Sequence, residues 1–425
     1  MLKCSFMEKK LKRFIAAWLA LGVGIFLTVI ATLEVKNNIE MDAVTQFSYT
    51  SDAAVLKIRE RLNTYDLILK GGAGLFAGSR SPLVDRKVWR AYVEKLRTVD
   101  SISGVLGVGF SEVVQPNQLE AHNARLQGEG FAGFTIWPSG ERELYSSIIF
   151  LEPFQNRNLR AFGYDMLSEP VRRAAMEKAR DTGETQLSGK VLLVQETSED
   201  VQAGTLMYVP VYRNGSVLTT VEQRRKELIG WSYSPYRMTD LMQGILVGWN
   251  IVAGKIIDLH IYDGNEASAD ALLFDSDTGK SPNLHSLLYQ RRVIEFGGRQ
   301  WLLVFDSIAG KGGAAINYFS VWGTLTGGIV LSSLLCGLLI ALARTQGRAM
   351  EIANSLTAEI TSRGTALKES EARYERAVNG ANDGIWEWVP ETGEDYLSPR
   401  WKQLLGYADH ELPNVQESFF GRLHP

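Results

Sequence analysis

Cysteine is nearly absent: Cys4 and Cys336 are the two among 425 residues. No disulfide can therefore brace the polar stretch between residues 34 and 311, and whatever folds there holds by packing alone. Histidine is scarce as well, with His122, His260, His285, His410 and His424 making five. None of them forms an i,i+4 pair or an H-x-E motif, so no metal site is expected. There is no basic excess, the formal net charge being -3, which argues against bulk electrostatic binding of nucleic acid. The glycine-rich string GGAGLFAGSR lacks the Lys-Ser/Thr ending of a phosphate loop and is better read as a turn. No G-x-S-x-G elbow occurs, and no histidine between Arg344 and Ala377 offers a phospho-acceptor. The expectation is a chain with no catalytic residue and no cofactor.

Two long uncharged runs are present, Phe14 to Leu33 and Gly312 to Ala343. Each meets the roughly 20 apolar residues that a membrane span needs. A cleaved signal peptide is the competing reading of the first, but the run exceeds the usual h-region of roughly 7 to 15 residues, and no A-x-A site follows. Lys3, Lys9, Lys10, Lys12 and Arg13 precede the first run, while Arg344, Arg348 and Arg363 follow the second. Basic flanks stay cytoplasmic, so Glu34 to Lys311 should face outward from the plasma (inner) membrane with both termini inside.

Residues 34–72 place Val55, Ile58, Leu62, Tyr65 and Leu69 at alternating three and four spacing, which predicts a stalk helix ending at Gly71-Gly72. Spacing alone leaves open whether that seam is a coiled coil or packs on its own domain. From residue 83 onward, VDRKVWRAYVEKLRTV and SEPVRRAAMEKARDTG read as helices, and VLGVGFSEVV and LYSSIIFLEP as strands. Ser168 is the expected N-cap of the second helix, with Pro170 in its first turn and Gly183 at its C-terminal cap. Further strands are expected at 189–195, 205–212, 229–233, 258–262 and 301–305. The mixture predicts an α+β region with antiparallel sheets, a distal part at about 83–200 and a proximal part at about 201–311. Beyond the second span (318–343), Ala353, Leu356, Ile360, Leu367, Tyr374 and Ala377 form a broken heptad stripe over a connector at 344–375. That stripe suggests a parallel homodimer, a solvated single helix being the alternative. Residues 376–425 read strand, Glu-Thr-Gly turn, strand, then a helix opened by Ser398-Pro399 and closed at Gly406. Some 50 residues are few for an independent core, so the chain is expected to stop inside a domain.

The string from WPSGERELYSSIIFLEP through GYDMLSEPVRRAAMEKARDTGETQLSGKVLLVQE, with LMYVPVY and GWSYSPYR, resembles the CHASE domain, the extracytoplasmic sensor of cytokinin-receptor-like proteins. The final segment is similar to the beginning of a PAS domain in NDGIWEW, SPRWKQLLGY and the closing HP. The resemblance implies a bitopic membrane protein with a long stalk, two PAS-like lobes outside the membrane, and a small-molecule pocket in the distal lobe. It places Glu143 at the family's acidic ligand position and Tyr164 at its backbone position, where the plant receptors have Asp and Leu. One more methylene shifts the carboxylate by about 1.5 Å and Tyr fills volume, which disfavours adenine-type ligands.

Independently of the family, Glu143 and Tyr145 lie two apart, so in a strand both would face one cleft; otherwise Glu143 is a solvated carboxylate beside Arg142. Asp165 and Trp137 complete the candidate ligand set, although a turn role for Asp165 and a core role for Phe110 are the ordinary alternatives. His122 is expected on a helix surface. The resulting expectation is the input half of a receptor whose output is a histidine kinase or a cyclic-di-GMP enzyme. A periplasmic protein-interaction module or an anchored hydrolase are the rivals.

Overall fold

The computed structural model describes residues 2–78, 84–97, 105–247, 257–276, 286–307 and 316–422. It divides into two units, Leu33–Trp322 and a second one made of Met1–Thr32 with Gly323–Pro425.

The first unit is built on α1 (Leu2–Gly78), which does not stop at Gly71-Gly72 but runs through both. Those glycines admit close neighbours: a Cβ on Gly71 would lie 2.5 Å from the Tyr92 hydroxyl, and one on Gly72 3.0 Å from Ser232 Oγ and the Trp89 ring. The seam expected from spacing packs inward, with Ile58, Leu62, Tyr65 and Leu69 buried in the unit's own core and Val55 half-buried. Each such aliphatic side chain stabilises by about 1.5–3 kcal/mol when fully buried. Tyr65 stacks on Tyr236 with ring centroids 5.5 Å apart, and burial pushes its phenol up to about 12.

Along the chain follow α2 (Arg86–Arg97), β1 (Val108–Val114), α3 (Leu119–Gly128), β2 (Tyr145–Glu152), α4 (Pro170–Thr182), β3 (Gln186–Leu187), β4 (Gly204–Tyr212), α5 (Val221–Glu227), β5 (Leu228–Arg237) and α6 (Met238–Ile245). The strands form one antiparallel sheet in the order β2-β1-β5-β4-β3. A second antiparallel sheet, β7-β6-β9-β8, is made by β6 (Ile257–Asp263), β7 (Leu272–Asp275), β8 (Tyr289–Phe296) and β9 (Arg299–Ser307). The division between lobes therefore falls after β5 and not near residue 200, because β4 and β5 pair with β3 and β1 of the first sheet.

Three local expectations are corrected. Residues 189–195 form no strand and contribute a single bridge, Val191 to Gly204; the strand lies just before them at β3. The N-cap of α4 is Glu169, whose carboxylate accepts from the Val171 and Arg172 amides, while Ser168 donates to the Asp165 carbonyl. Pro170 and Gly183 (φ 78°) hold their expected places. His122 is buried on α3, with Nε2 3.0 Å from Ser147 Oγ.

Gly230 sits in β5 opposite Glu112 of β1, and a Cβ there would lie 2.2 Å from the Ser111 carbonyl oxygen and 2.5 Å from the Phe110 ring. A backbone oxygen cannot swing aside, so Gly230→Ala should destabilise the first lobe by about 1–3 kcal/mol. Urea unfolding of the purified chain, followed by tryptophan fluorescence, reads this directly.

The lobes meet where the Leu187 amide donates to the Gly297 carbonyl (2.8 Å) and the Lys190 amide donates to Asp263 Oδ2 (2.9 Å).

The second unit contains the start of α1 and most of α7 (Phe319–Ala381). They pack through small residues: a Cβ on Gly24 would fall 2.5 Å from Ser332 Oγ, and one on Gly328 2.3 Å from Thr28 Cγ2. Their apolar windows reach mean hydropathies of 2.4 and 2.3 with 11% of each buried. Such a large exposed apolar surface is a membrane or interaction surface, not one for water. Among the described residues, the connector stripe at Leu356, Ile360, Leu367 and Tyr374 is exposed. The terminal segment forms a hairpin of β10 (Trp386–Val389) and β11 (Glu394–Leu397), then α8 (Pro399–Leu404) and α9 (Gln416–Phe420). Ser398 caps α8 and Gly406 follows it at φ 86°, in keeping with the reading of the sequence.

Candidate ligand-binding site

Arg142 joins two of the five expected side chains, Asp165 and Tyr145, while Trp137 and Tyr164 meet each other. The Asp165 carboxylate is fully buried; its Oδ1 accepts from the Ser146 amide (2.9 Å), Ser146 Oγ (3.0 Å) and the Leu167 amide (3.0 Å). Its Oδ2 makes no hydrogen bond but stands 3.3 Å from Arg142 Nε. Burial raises the Asp165 carboxyl above its ordinary range, against the opposing pull of Ser146 and Arg142. The same guanidinium lies 5.6 Å from the Tyr145 ring, and the Arg142 amide donates to the Tyr145 hydroxyl (3.2 Å), which itself donates to the Gly140 carbonyl (2.9 Å).

The Trp137 and Tyr164 rings meet at a tilt of 56° with centroids 4.7 Å apart, and the Asp165 amide donates to the Trp137 carbonyl (2.7 Å). The backbone of Tyr164 is already spent, its amide on the Ala161 carbonyl and its carbonyl on the Ile148 amide. Its hydroxyl accepts from Arg172 Nη1 (3.3 Å). Tyr145 and Tyr164 pack in different core clusters, so the two phenols do not share one cleft.

Glu143 stands apart. It is exposed in a bend, since β2 begins only at Tyr145, and the expected shared strand face with Tyr145 does not form. Glu143→Ala should leave stability within about 0.5 kcal/mol of the parent, as surface substitutions do. A thermal melt of the variant checks it.

A partly enclosed cavity of about 230 Å³ lies elsewhere in the first lobe, among the end of α1, α2, α3, β1, β2 and β5. Phe76, Phe110, Leu126, Ile149 and Ile229 line it with apolar surface, and Asp85, Arg86, Glu112, Arg125 and Glu129 supply charge. Phe110, expected as core, is buried as well as cavity-lining. Arg125 pairs with both acids, donating to Glu112 and, at 3.3 Å, to Glu129. Arg86 sits over four rings, Phe131, Phe150, Phe154 and Phe162, at 4.6 to 5.5 Å from their centroids. Its Nη2 donates to the Ile149 carbonyl (2.8 Å), while Nη1 is buried without a hydrogen-bond partner. Burial lowers the Arg86 guanidinium from its ordinary value, partly offset by Glu129 and Glu152. One sequence signal pointed here: Glu112 follows Phe110 by two on an otherwise apolar strand, a charge on an inward face.

In the second lobe, Asp258 and His260 of β6 and Asp306 of β9 are buried with ligand atoms within 4.8 Å of one another, and Asp258 stands directly opposite Asp306 in the ladder. No metal-ligand spacing in the sequence announces this group, because pairing between strands creates it.

Comparison with known proteins bears on the same region. Residues 82–274 match the family model described as CHASE domain. Hybrid signal transduction histidine kinase A of Dictyostelium discoideum is 27% identical over 296 residues, which is 64% of this chain. The match spans 14% of that protein's length. Among solved structures, the periplasmic sensory domain of the Campylobacter jejuni chemoreceptor Tlp1 superposes with a TM-score of 0.39 at 11% identity, covering 64% of this chain and 95% of that one. Between its two long apolar helices, residues 82–274 of this chain are therefore similar to the CHASE domain, and the match covers less than half of the chain.

Proposed function

We propose that this chain is the input portion of a two-pass membrane receptor, with the CHASE domain outside the plasma (inner) membrane, a small molecule bound in its first lobe, and both termini in the cytoplasm. The observation that carries the reading is the CHASE match at residues 82–274 between two helices apolar enough to cross a bilayer. Charge asymmetry supplies the orientation, since basic residues flank the outer ends of both apolar runs. A ligand signals by binding two arrangements of the lobe with different affinity. Helix α1 is suited to transmit that difference, because Phe76 near its end lines the cavity and stacks on Phe110 at 4.2 Å, while its start is the first apolar segment.

The terminal segment serves as the opening of a cytoplasmic PAS domain, and the exposed stripe of α7 pairs two copies in parallel. The output is a histidine kinase, in line with the name of the curated relative; a cyclic-di-GMP enzyme is the alternative.

Single-cysteine labelling tests the arrangement. In a Cys4→Ser, Cys336→Ser background, Val293→Cys should react with a membrane-impermeant maleimide in spheroplasts, whereas Leu367→Cys should react only after lysis; labelling of both positions, or the reverse order, rejects the topology.

A further inference from the structure

The cavity beside α2 holds an arginine that is half used. Among the described residues Arg86 has no ion pair, its Nη2 is occupied by the Ile149 carbonyl, and its Nη1 is buried with no partner. A half-buried cation with one nitrogen buried and unpaired is costly, and native structures keep such groups for a reason. The four phenylalanine rings fix the guanidinium by cation–π contact, yet they accept no hydrogen bond in its plane. Three acids line the cavity: Glu112 and Glu129 are both engaged by Arg125, and Asp85 accepts from the Val88 amide (2.8 Å). Glu152, the other nearby acid, is held by Arg90 Nε at 3.1 Å and by the Phe154 amide at 3.0 Å. The local carboxylates therefore have their own donors, and the Nη1 of Arg86 is left without an acceptor.

We propose that this cavity binds a small organic carboxylate, which pairs with the Arg86 guanidinium in its wall while its apolar body lies against Phe76, Phe110, Leu126, Ile149 and Ile229. The volume of about 230 Å³ limits the ligand to a metabolite smaller than the occupants of typical drug-sized sites, which run roughly 300–1,000 Å³. Arg86 as anchor, an apolar wall and three lining acids together select branched-chain or aromatic monoacids over polyanions. Asp85, Glu112 and Glu129 in the lining disfavour a second negative charge. The site is separate from the group formed by Trp137, Tyr164 and Asp165. It rests on the sensor reading for its consequence in signalling but not for its existence.

Calorimetric titration of the full chain in nanodiscs tests it, with isovalerate, benzoate and phenylacetate as probes and isovaleramide, benzamide and phenylacetamide as their neutral counterparts. At least one acid should bind saturably, with its amide weaker by tenfold or more, since a charge-assisted hydrogen bond is lost. Arg86→Met should weaken the same acid by at least as much. Should that variant fail to fold, Ile229→Trp fills the cavity from β5 while leaving Arg86 and its rings intact, and it should abolish binding. Equal binding of acid and amide overturns the proposal, as does binding that survives in either folded variant, or no binding of any acid at millimolar concentration. None of those outcomes touches the topology, which the cysteine labelling decides separately.

Discussion

Arg237→Ala lowers the unfolding free energy of the sensor unit by about 3–5 kcal/mol, the loss expected when one partner of a buried ion pair is removed. Arg237 lies where β5 passes into α6, and its buried guanidinium donates from Nε to Glu196 Oε1 (2.7 Å), from Nη1 to Asp240 Oδ2 (2.5 Å) and from Nη2 to Asp200 Oδ2 (2.8 Å). Burial by itself disfavours the cation, but Glu196, Asp200 and Asp240 together outweigh it and hold the group above its ordinary value. Removing the side chain strands Glu196, whose carboxylate is 4% exposed and keeps only Arg157 at 3.7 Å among the ion pairs of the described residues. Asp200 and Asp240, at 66% and 42% exposure, rehydrate at little cost, so the penalty is mainly that of Glu196. Pairing the change with Glu196→Leu should therefore recover part of the loss. Urea unfolding of parent, single variants and the double variant gives the coupling; independent, additive effects would show that the pair is not the seat of the stability.

What the sequence disclosed follows from the range of the forces involved. Helices α2 and α4 and the strands β1, β2, β4, β5, β6 and β9 were legible because periodicity and caps are local properties. The run of α1 through Gly71-Gly72 was not, since the reason those positions are glycine lies in Tyr92, Trp89 and Ser232, which only the fold brings near. The cap of α4 shifted by one residue for a similar reason. Ser168 would serve, but its hydroxyl is taken by the Asp165 carbonyl, and the longer Glu169 side chain reaches the free amides instead. The lobe division was misplaced because sheet order is a nonlocal property: β4 and β5 follow β3 in sequence, yet β5 inserts between β4 and β1.

The candidate site was legible in part. Trp137, Tyr164 and Asp165 do meet, but Arg142, which links Asp165 to Tyr145, entered the sequence reading only as a neighbour of Glu143. The cavity of Arg86 draws on six elements, and no window of sequence contains more than a fraction of it. Its aromatic support at Phe131, Phe154 and Phe162 comes from segments between the regular elements, where no periodicity marks a side chain as inward.

The convergence at Asp165 carries the other large effect. Asp165→Ala removes the acceptor of two backbone amides and one hydroxyl and leaves Arg142, 18% exposed, without its partner. A loss of about 3–5 kcal/mol follows from breaking a buried charge pair, equivalent to a fall in Tm of roughly 2–4 °C per kcal/mol for a domain of this size. Asp165→Asn separates charge from shape, because an amide oxygen still accepts from the Ser146 and Leu167 amides. The folded-state pKa of Asp165 is raised, so the native protein binds the proton more tightly than the unfolded chain. Its contribution to stability therefore falls as pH rises from the unfolded value near 3.9 through the folded value, and is regained on acidification. Asp181 behaves in the opposite sense: Arg225 and Arg180 hold its carboxyl well below the ordinary range, so its contribution is present above the unfolded pKa and is lost as pH falls. The difference in stability between parent and Asp165→Asn, measured by urea unfolding from pH 4 to pH 7, cancels Asp181 and isolates Asp165. The parent should gain on the variant toward the acid end, where its own carboxyl is neutral and keeps its hydrogen bonds. A difference that grows toward pH 7 instead would mean that the ion pair with Arg142 outweighs burial, and that Asp165 works as a fixed anion.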